Sequence, residues 1–462
     1  MNWNTCHAPG RFGQNNASPA QRTPYERDFD RLIFSSAFRR LQDKTQVFPL
    51  PGPVLVHNRL THSLEVASVG RSIGKLAGEE LLASTGETFS DASKEFYAYN
   101  LSSVIAAACL AHDIGNPSFG HSGEAAISAY FEYAAPMPLN GSTLRAQFTD
   151  AEWKDLTNFE GNANSFRILT HPYAHRQPGG YRLTFSTLAA IAKYPCESTG
   201  TTKGVLHKKK YGFFQADKAA FSNVAEQTNM IPDGNAPLSW KRHPFVFLVE
   251  AADDICYRII DWEDAHRIGI LDAHTASTHL INLLETAPDA TAQMPGIKRT
   301  MDELKNDPRE QLAYLRAKCI NYLVVTCAKA FAGEQQNLLN GTLDKPLLDL
   351  LPIGSINALE NINQVTIQKI YNHETVVKIE LAGYEVMKAL LEEFIPAMLS
   401  NSPTHKQKKI LKLLPAQFSV VGESTPYLKA LSVVDFISGM TDLYAMEMYK
   451  NLRGISLPVH SS

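Results

Sequence analysis

The sequence predicts a mostly α-helical protein, and three observations support that prediction. Apolar residues recur close to every 3.6 positions over residues 59–84, which is the spacing of one helix face. Residues 101–112 are almost all small or apolar, which is typical of a helix buried on every side. The period-2 alternation of a half-buried strand is missing over any useful length, except around residues 204–214.

The remaining helices are predicted in order along the chain. Gly115, Pro117 and Gly120 interrupt the pattern after the buried helix, because these residue types favour turns. The strand–helix alternation of a doubly wound sheet is not visible in the sequence. Helical patterns recur in residues 122–133, 184–193, 244–262, 301–331, 376–399 and 425–452.

Composition and charge exclude several classes of protein. Of the 462 residues, 44% are apolar and 20% charged, so the chain can bury a sizeable core. The longest apolar run, residues 104–111, is far shorter than the ~20 residues of a membrane span. The first fifteen residues lack the apolar segment of a secretion signal, and the six cysteines lack Cys-x-x-Cys spacing. We therefore expect a cytoplasmic protein with reduced thiols and no membrane contact, and the net charge of −3 argues against a broad nucleic-acid footprint.

The sequence suggests one soft boundary. Pro346, Pro352 and Gly354 separate a large N-terminal portion, residues 1–345, from a smaller helical portion, residues 346–462. Residues 137–155 and 195–212 read as insertions, because helical patterns resume on either side of each. The C-terminal portion is expected to complete a pocket or an oligomer interface.

The first candidate for a functional site is the pair His112-Asp113, at the end of the apolar helix of residues 101–112. An ionised aspartate is rarely buried without a partner, and a divalent cation bound by the imidazole and the carboxylate would supply one. A hydrogen-bonded pair at a helix end is the alternative. His62 lies on a second predicted helix, one turn after Arg59, and Asp253-Asp254 lies inside a third.

These residues form an ordered series of motifs that resembles a known family. His62, His112-Asp113 and Asp253 resemble the H…HD…D metal signature of HD-domain phosphohydrolases. Further segments resemble the bacterial deoxyguanosine triphosphate triphosphohydrolases in particular, in family order across residues ~20–265 and again near the C-terminus. They are residues 22–28, 38–47, 57–64, 112–124, 158–163, 193–195, 209–214, 250–257 and 435–442. The resemblance implies an HD-domain helical core with an additional C-terminal helical region.

The resemblance implies a metal site made of His62, His112, Asp113 and Asp253. Asp253 is preferred over Asp254 because Tyr257 and Asp261 then share its helix face, at i+4 and i+8. Two nitrogen and two oxygen donors leave positions open on an octahedral ion, which favours Mg²⁺ or Mn²⁺ while allowing other first-row divalent ions. Asp254 is expected to point elsewhere, into a salt bridge.

His121 is the predicted general acid or base, and Glu124, three residues later on the same face, would orient it. The alternative is a histidine that only bonds the loop at the helix start. The resemblance implies attack of water on the α-phosphorus of a deoxynucleoside triphosphate, with tripolyphosphate released whole. Whether His121 acts as acid or base is open at this point.

The remaining predicted residues would bind substrate. Arg59, Lys193, Tyr194 and Lys210 fall in motifs that resemble the family's phosphate contacts. The Tyr257 ring would pack against C2′, and Gln46 and Asp261 would bond the 3′-hydroxyl, so a ribonucleotide would be rejected. His171 and His175 have metal-like spacing, but Pro172 between them argues against a shared helix face.

Other functions stay open. An HD enzyme of different regiochemistry would be a 5′-nucleotidase, a cyclic-nucleotide phosphodiesterase or a guanosine tetraphosphate hydrolase. A regulator that responds to nucleotides or single-stranded DNA is a different class, but the complete set of ligands argues against a degenerate pocket. The resemblance also implies dGTP as substrate, a hexamer or tetramer, and single-stranded DNA or a nucleotide as a possible effector.

Overall fold

Helices dominate the chain, as the apolar spacing predicts. The computed structural model of the protein describes residues 1–13, 21–48, 56–84, 89–173, 179–419 and 424–457. The α-helices are α1 (Pro24–Ile33), α2 (Ser36–Arg39), α3 (Arg59–Ser84), α4 (Asp91–Glu95), α5 (Leu101–Ala111), α6 (Gly120–Ala134), α7 (Asp150–Thr157), α8 (Gly161–Thr170), α9 (Phe185–Ala190), α10 (Lys218–Gln227), α11 (Pro244–Arg267), α12 (Ala273–Glu285), α13 (Ala290–Glu303), α14 (Pro308–Gly333), α15 (Gln335–Asn340), α16 (Ile353–Val365), α17 (Glu374–Leu399), α18 (His405–Ile410), α19 (Pro426–Ser438) and α20 (Asp442–Leu452).

Irregular helices and two hairpins complete the described structure. π-helical turns occur at Phe96–Asn100 and Thr366–Tyr371. Antiparallel pairing joins β1 (Pro138–Leu139) to β2 (Ser142–Thr143) and β3 (Pro232–Asn235) to β4 (Leu238–Trp240). The 3₁₀ turns are Arg40–Asp43, Arg145–Gln147, Ser198–Gly200, Leu206–Lys208, Gln215–Asp217, Leu347–Leu350, Leu411–Leu413 and Ala416–Phe418.

The structure breaks two of the predicted long helices. Residues 301–331 are divided between α13 and α14, where Asp307 accepts hydrogen bonds from the backbone N–H groups of Arg309 and Glu310. Residues 425–452 are divided between α19 and α20, where Thr441 caps the second helix. In both places an Asp or Thr cap satisfies amides that a continuous helix would bond internally. Residues 204–214 contain a 3₁₀ turn and no strand.

The centre of the fold is the packing of α3 on α5, with α11 and α14 against the same bundle. Glycines on α3 allow this close approach. A Cβ on Gly70 would lie 2.5 Å from Cys109 Sγ, and one on Gly78 would lie 2.1 Å from the Tyr97 carbonyl oxygen. The backbones of α3 and α5 therefore approach closely, which brings the polar ends of both helices together.

Two hydrophobic clusters stabilise the molecule. The larger is built around α1, α3, α5, α11, α12, α14 and α16, and the smaller joins α6 and α7 to α17, α19 and α20. Residues from both sides of the predicted boundary at 345/346 enter each cluster, and that boundary stays a prediction. Of the helices in the described ranges, none is long and apolar enough to cross a membrane.

Candidate metal centre and active site

A cavity of about 420 Å³ opens between the ends of α3, α5 and α11 on one side and α6, α8 and α17 on the other. Twelve of the thirteen predicted site residues line it: Gln46, Arg59, His62, His112, Asp113, His121, Glu124, Lys193, Tyr194, Lys210, Asp253 and Tyr257. Asp261 is the exception. Residues far apart in the sequence therefore share one concave wall, the usual setting of a small-molecule site.

Three side chains converge from three helices on one side of the cavity. His62 Nε2 on α3 lies 3.2 Å from Asp253 Oδ1 on α11, and His112 Nε2 after α5 lies 3.4 Å from the same oxygen. One donor atom from each of these residues lies within 4.8 Å of the other two. Two imidazole nitrogens and a carboxylate oxygen are suitable donors for a first-row divalent ion.

His112 is prepared for the role of a ligand. Its Nδ1–H donates to the Cys109 carbonyl at 2.6 Å, and its Nε2 lies 3.4 Å from Asp253 Oδ1 and 3.5 Å from Asp113 Oδ1. That Nε2 is buried and makes no hydrogen bond among the described residues. Burial lowers the pKa of His112, but the carboxylates of Asp113 and Asp253 outweigh it and raise the pKa to about 9. A ring nitrogen that faces two carboxylates suits a divalent cation, which would take the place of the Nε2 proton.

Asp113 adjoins this group of three. Its Oδ1 lies 3.5 Å from His112 Nε2 and accepts a hydrogen bond from Asn116 Nδ2 at 2.5 Å. Its Oδ2 accepts from Arg59 Nη1 at 2.7 Å. Burial opposes ionisation of Asp113, but Arg59 and His112 keep its pKa below the ordinary value. Asp113 is therefore an oriented carboxylate at the edge of the site, and its predicted role as fourth ligand stays a prediction.

His121 and Glu124 face the cavity from the first turn of α6. The expected hydrogen bond between them is not formed within the described ranges, since Glu124 Oε1 accepts from the Gly161 amide at 2.8 Å. Burial, with Glu160 close by, raises the pKa of Glu124 to about 7. Burial also lowers the pKa of His121, and Lys210 and Arg59 add to this effect. The environment of His121 therefore favours its neutral form, and Glu124 on the same cavity wall is a carboxyl that titrates near neutrality.

Cations also line the cavity. Lys193 Nζ lies 3.2 Å from Glu250 Oε1, and Arg242 donates to the Glu250 carboxylate at 2.8 Å. The Arg242 guanidinium also lies 5.7 Å from the centre of the Tyr194 ring. Lys210 Nζ lies 2.9 Å from Glu160 Oε2. Glu250 and Glu160 therefore hold two lysines at the cavity wall, where an anionic substrate would meet them.

An aromatic pair forms the third part of the wall. Tyr257 stacks on Tyr371, with ring centroids 5.7 Å apart, and the Tyr371 hydroxyl donates to Asp261 Oδ2 at 3.1 Å. Asp261 is thereby covered by Tyr371, and burial raises its pKa to about 7. Gln46 reaches the cavity, and its Oε1 is buried without a hydrogen-bond partner in the described chain. The predicted contact of Asp261 with a sugar stays a prediction.

Some of the wall was not found by reasoning from the sequence. Tyr371, Val376, Ile379 and Glu380 come from the region after residue 345, and Asn116 comes from the loop after the His-Asp pair. Asn116 lies inside a recognised motif, so that motif was a usable signal, whereas Tyr371 had none. Asp254 makes no ion pair within 4 Å in the described ranges, and burial raises its pKa to about 7. His171 lies outside the cavity wall, and His175 lies outside the described residues.

Comparison with known proteins first defines the class. The HD domain model matches residues 59–142, which include His62, the His112-Asp113 pair, His121 and Glu124. A second model, the phosphohydrolase-associated domain, matches residues 354–451. These matches place the chain among the HD-domain phosphohydrolases, and enzymes of this class depend on a divalent metal ion.

Full-length relatives then define the family. The chain is 38% identical to a deoxyguanosinetriphosphate triphosphohydrolase-like protein of Synechocystis, over 99% of this chain and 100% of the relative. It is 37% identical to a protein of the same description from Pseudomonas aeruginosa, over 99% and 100%. A deoxyguanosinetriphosphate triphosphohydrolase of Cronobacter sakazakii is 31% identical, over 93% and 94%. The chain belongs to the deoxyguanosinetriphosphate triphosphohydrolase family, which confirms the resemblance and the mostly α prediction.

Proposed function

We propose that the protein hydrolyses a deoxynucleoside triphosphate, above all dGTP, to the deoxynucleoside and inorganic tripolyphosphate with the help of Mg²⁺ or Mn²⁺. The observation that carries this proposal is the cavity that combines the His62–His112–Asp253 group, His121 and the two lysines Lys193 and Lys210. Its volume of about 420 Å³ lies in the usual range for a small-molecule site.

His62, His112, Asp113 and Asp253 would hold the cation, which when bound supplies positive charge at the α-phosphate and orients its oxygens. Arg59 keeps Asp113 ionised and oriented through its 2.7 Å hydrogen bond. The Cys109 carbonyl keeps His112 in the tautomer that presents Nε2. These contacts prepare the donors before substrate enters, so little reorganisation is needed on binding.

His121 would move the proton. Its lowered pKa leaves the ring neutral at pH 7, so it can accept a proton from an attacking water. The imidazolium so formed can return the proton to the 5′-oxygen of the departing deoxynucleoside. An ionised Glu124 nearby stabilises the charged ring in either direction. In-line attack at the α-phosphorus would then separate the nucleoside from an intact tripolyphosphate.

Lys193, Lys210 and Arg59 would neutralise the triphosphate. Lys193 pairs with Glu250 and Lys210 pairs with Glu160, and each glutamate keeps the ammonium group of its lysine at the cavity wall. Burial lowers the pKa of Lys193, but Glu250 outweighs it, so the net direction is upward and the side chain stays charged. Tyr194 lies between these cations and would pack beside the phosphate chain.

The aromatic pair would select the sugar and α17 the base. Tyr257, backed by Tyr371, offers a flat wall for C2′, while Gln46 Oε1 can accept a hydrogen bond from the 3′-hydroxyl. Glu380 on α17 places a carboxylate at the cavity wall. Guanine presents two adjacent donors, N1–H and the 2-amino group, which suit a carboxylate better than the mixed edges of the other bases. A carboxylate at this position would favour dGTP over the other deoxynucleotides.

Product analysis tests the proposal. The metal-free protein would be incubated with each dNTP and with GTP, alone and with Mn²⁺ or Mg²⁺, and the phosphate product identified by ³¹P NMR. We expect tripolyphosphate from dGTP with metal, none with a chelator, and at least ~100-fold lower kcat/KM for GTP, because the 2′-hydroxyl meets the Tyr257 wall. Asp253→Asn is the matched inactive control. Release of pyrophosphate or single phosphates would indicate a different HD-domain reaction. Equal kcat/KM values for GTP and dGTP would refute the proposed role of Tyr257 in excluding the 2′-hydroxyl.

A further inference from the structure

Asp442, the first residue of α20, connects two loops that border the cavity. Its Oδ2 accepts a hydrogen bond from the Thr45 backbone N–H at 2.8 Å, and its Oδ1 accepts one from the Phe119 backbone N–H at 2.9 Å. The side chain is buried. One carboxylate from the C-terminal region therefore bonds two amides that are 74 residues apart in the sequence.

Both amides adjoin functional side chains. Thr45 precedes Gln46, and Phe119 lies two residues before His121. Phe119 and Gly120 have φ angles of 61° and 56°, in the left-handed region that a phenylalanine rarely adopts. Such a backbone persists only where surrounding contacts determine it, and residues in this conformation cluster at functional sites. The Asp442–Phe119 bond is one of them.

The turn between α19 and α20, which precedes Asp442, makes further hydrogen bonds with the loops that contain Lys44 and Ser118. Ser118 Oγ donates to the Met440 carbonyl at 2.8 Å. Lys44 Nζ donates to the carbonyls of Ser438 at 2.9 Å and Asn116 at 2.6 Å. The turn between α19 and α20 is therefore hydrogen-bonded to two loops, one with Lys44 and Thr45 and one with Ser118 and Phe119. The Asp442 side chain bonds both loops.

We propose that Asp442 is a positioning residue for the hydrolysis: it holds His121 in line with the metal ligands and Gln46 at the sugar end. The proposal rests on the proposed function, since it assigns those two side chains their tasks. Helix capping does not account for Asp442, because Thr441 already accepts from the Tyr444 amide and both Asp442 oxygens bond other segments.

Two variants separate positioning from stability. Asp442→Asn keeps the size of the side chain but replaces one acceptor oxygen by an NH₂ group, which cannot bond a backbone N–H. Thr441→Ala removes the cap of α20 and leaves both Asp442 bonds in place. We expect Asp442→Asn to lower kcat for dGTP about 10- to 100-fold, because a displacement of about 1 Å costs that much. The dGTP/GTP ratio of kcat/KM should fall with it, as Gln46 loosens.

Thr441→Ala should lower the melting temperature but keep kcat and the dGTP/GTP ratio within about twofold of wild type. Hydrogen exchange followed by mass spectrometry adds a readout independent of substrate: Asp442→Asn should speed exchange in peptides that contain Thr45 and Phe119, and Thr441→Ala should not. Unchanged kcat, selectivity and exchange in Asp442→Asn would overturn the proposal, as would equal losses in both variants. A wild-type protein without dNTP hydrolysis would refute the proposed function, and the exchange comparison would still decide the role of Asp442.

Discussion

Glu124 shows how burial changes the pKa of a single side chain in the cavity wall. The carboxyl accepts from the Gly161 amide, yet burial and the adjacent Glu160 raise its pKa to about 7. A Cβ on Gly161 would lie 2.6 Å from Glu124 Oε1, so only glycine allows the amide to come this close. The cavity wall therefore contains a carboxyl that changes charge near neutral pH and a histidine whose pKa is lowered.

A pH profile tests this arrangement. A raised carboxyl pKa means that Glu124 is protonated below about pH 7 and ionised above it, so kcat should rise with pH through that value. Glu124→Gln keeps the bond to Gly161 but cannot ionise, and should lower kcat about 100-fold and remove that limb. Glu160→Gln is the control: it removes the neighbouring negative charge, so the limb should move to lower pH. A Glu124→Gln profile that retains the wild-type limb would contradict the role.

At the level of elements, α17 matters because it closes the cavity and supports the left-handed turn. Val376, Ile379 and Glu380 line the wall, and the next turn places Gly383 against Phe119. A Cβ on Gly383 would lie 2.4 Å from both Cβ and Cγ of Phe119. The helix therefore needs a residue without a side chain at this point.

Gly383→Ala tests that contact. Alanine usually stabilises a helix interior, but here its methyl group would displace Phe119 and so move His121. We expect a loss of about 1–3 kcal/mol in the free energy of unfolding and at least a tenfold fall in kcat. Gly296→Ala in α13 is the matched control, because nothing lies within 4 Å of that Cβ, and it should gain about 0.5–1 kcal/mol. Equal stability of the two variants, measured by urea unfolding, would refute the steric argument.

The origin of each contact explains how much of these elements the sequence could predict. The His112-Asp113 pair, His62 and Asp253 were found because they are polar residues in apolar helical patterns, a local signal. Asp307-Pro308 was also a readable helix start, and the predicted helix through it was wrong. Tyr371 and Asp442 act through partners more than 100 residues away, and periodicity does not indicate which helix faces will meet.

At the scale of the whole molecule, the smaller hydrophobic cluster joins the N-terminal portion to the C-terminal portion. Ile127, Tyr130 and Phe131 of α6 are buried against α17 and its neighbours, so α6 carries His121 and Glu124 on one side and the C-terminal contact on the other. The described structure places Tyr371 and Glu380 in the cavity wall as well. The role of residues 346–462 in completing the pocket stays a prediction, as does assembly as a hexamer or tetramer.

A fragment of residues 1–345 tests whether the N-terminal portion needs the C-terminal portion to fold. Cutting there would expose the apolar side of α6, where a buried phenylalanine or isoleucine contributes roughly 1.5–3 kcal/mol each. We expect the fragment to aggregate or to bind a hydrophobic dye, with no hydrolysis of dGTP. Co-expression with residues 346–462 should restore soluble protein if the interface is sufficient. A monodisperse fragment with a cooperative thermal transition would show that the N-terminal portion folds alone.

The hydrogen bond from Lys44 to Ser438 spans 394 positions. Contacts at such separation form late, because loop closure must precede them, whereas helices form from local contacts within microseconds. During refolding, ellipticity would therefore return before turnover does. The time between the two would measure how long the chain takes to bring its ends to the nucleotide pocket.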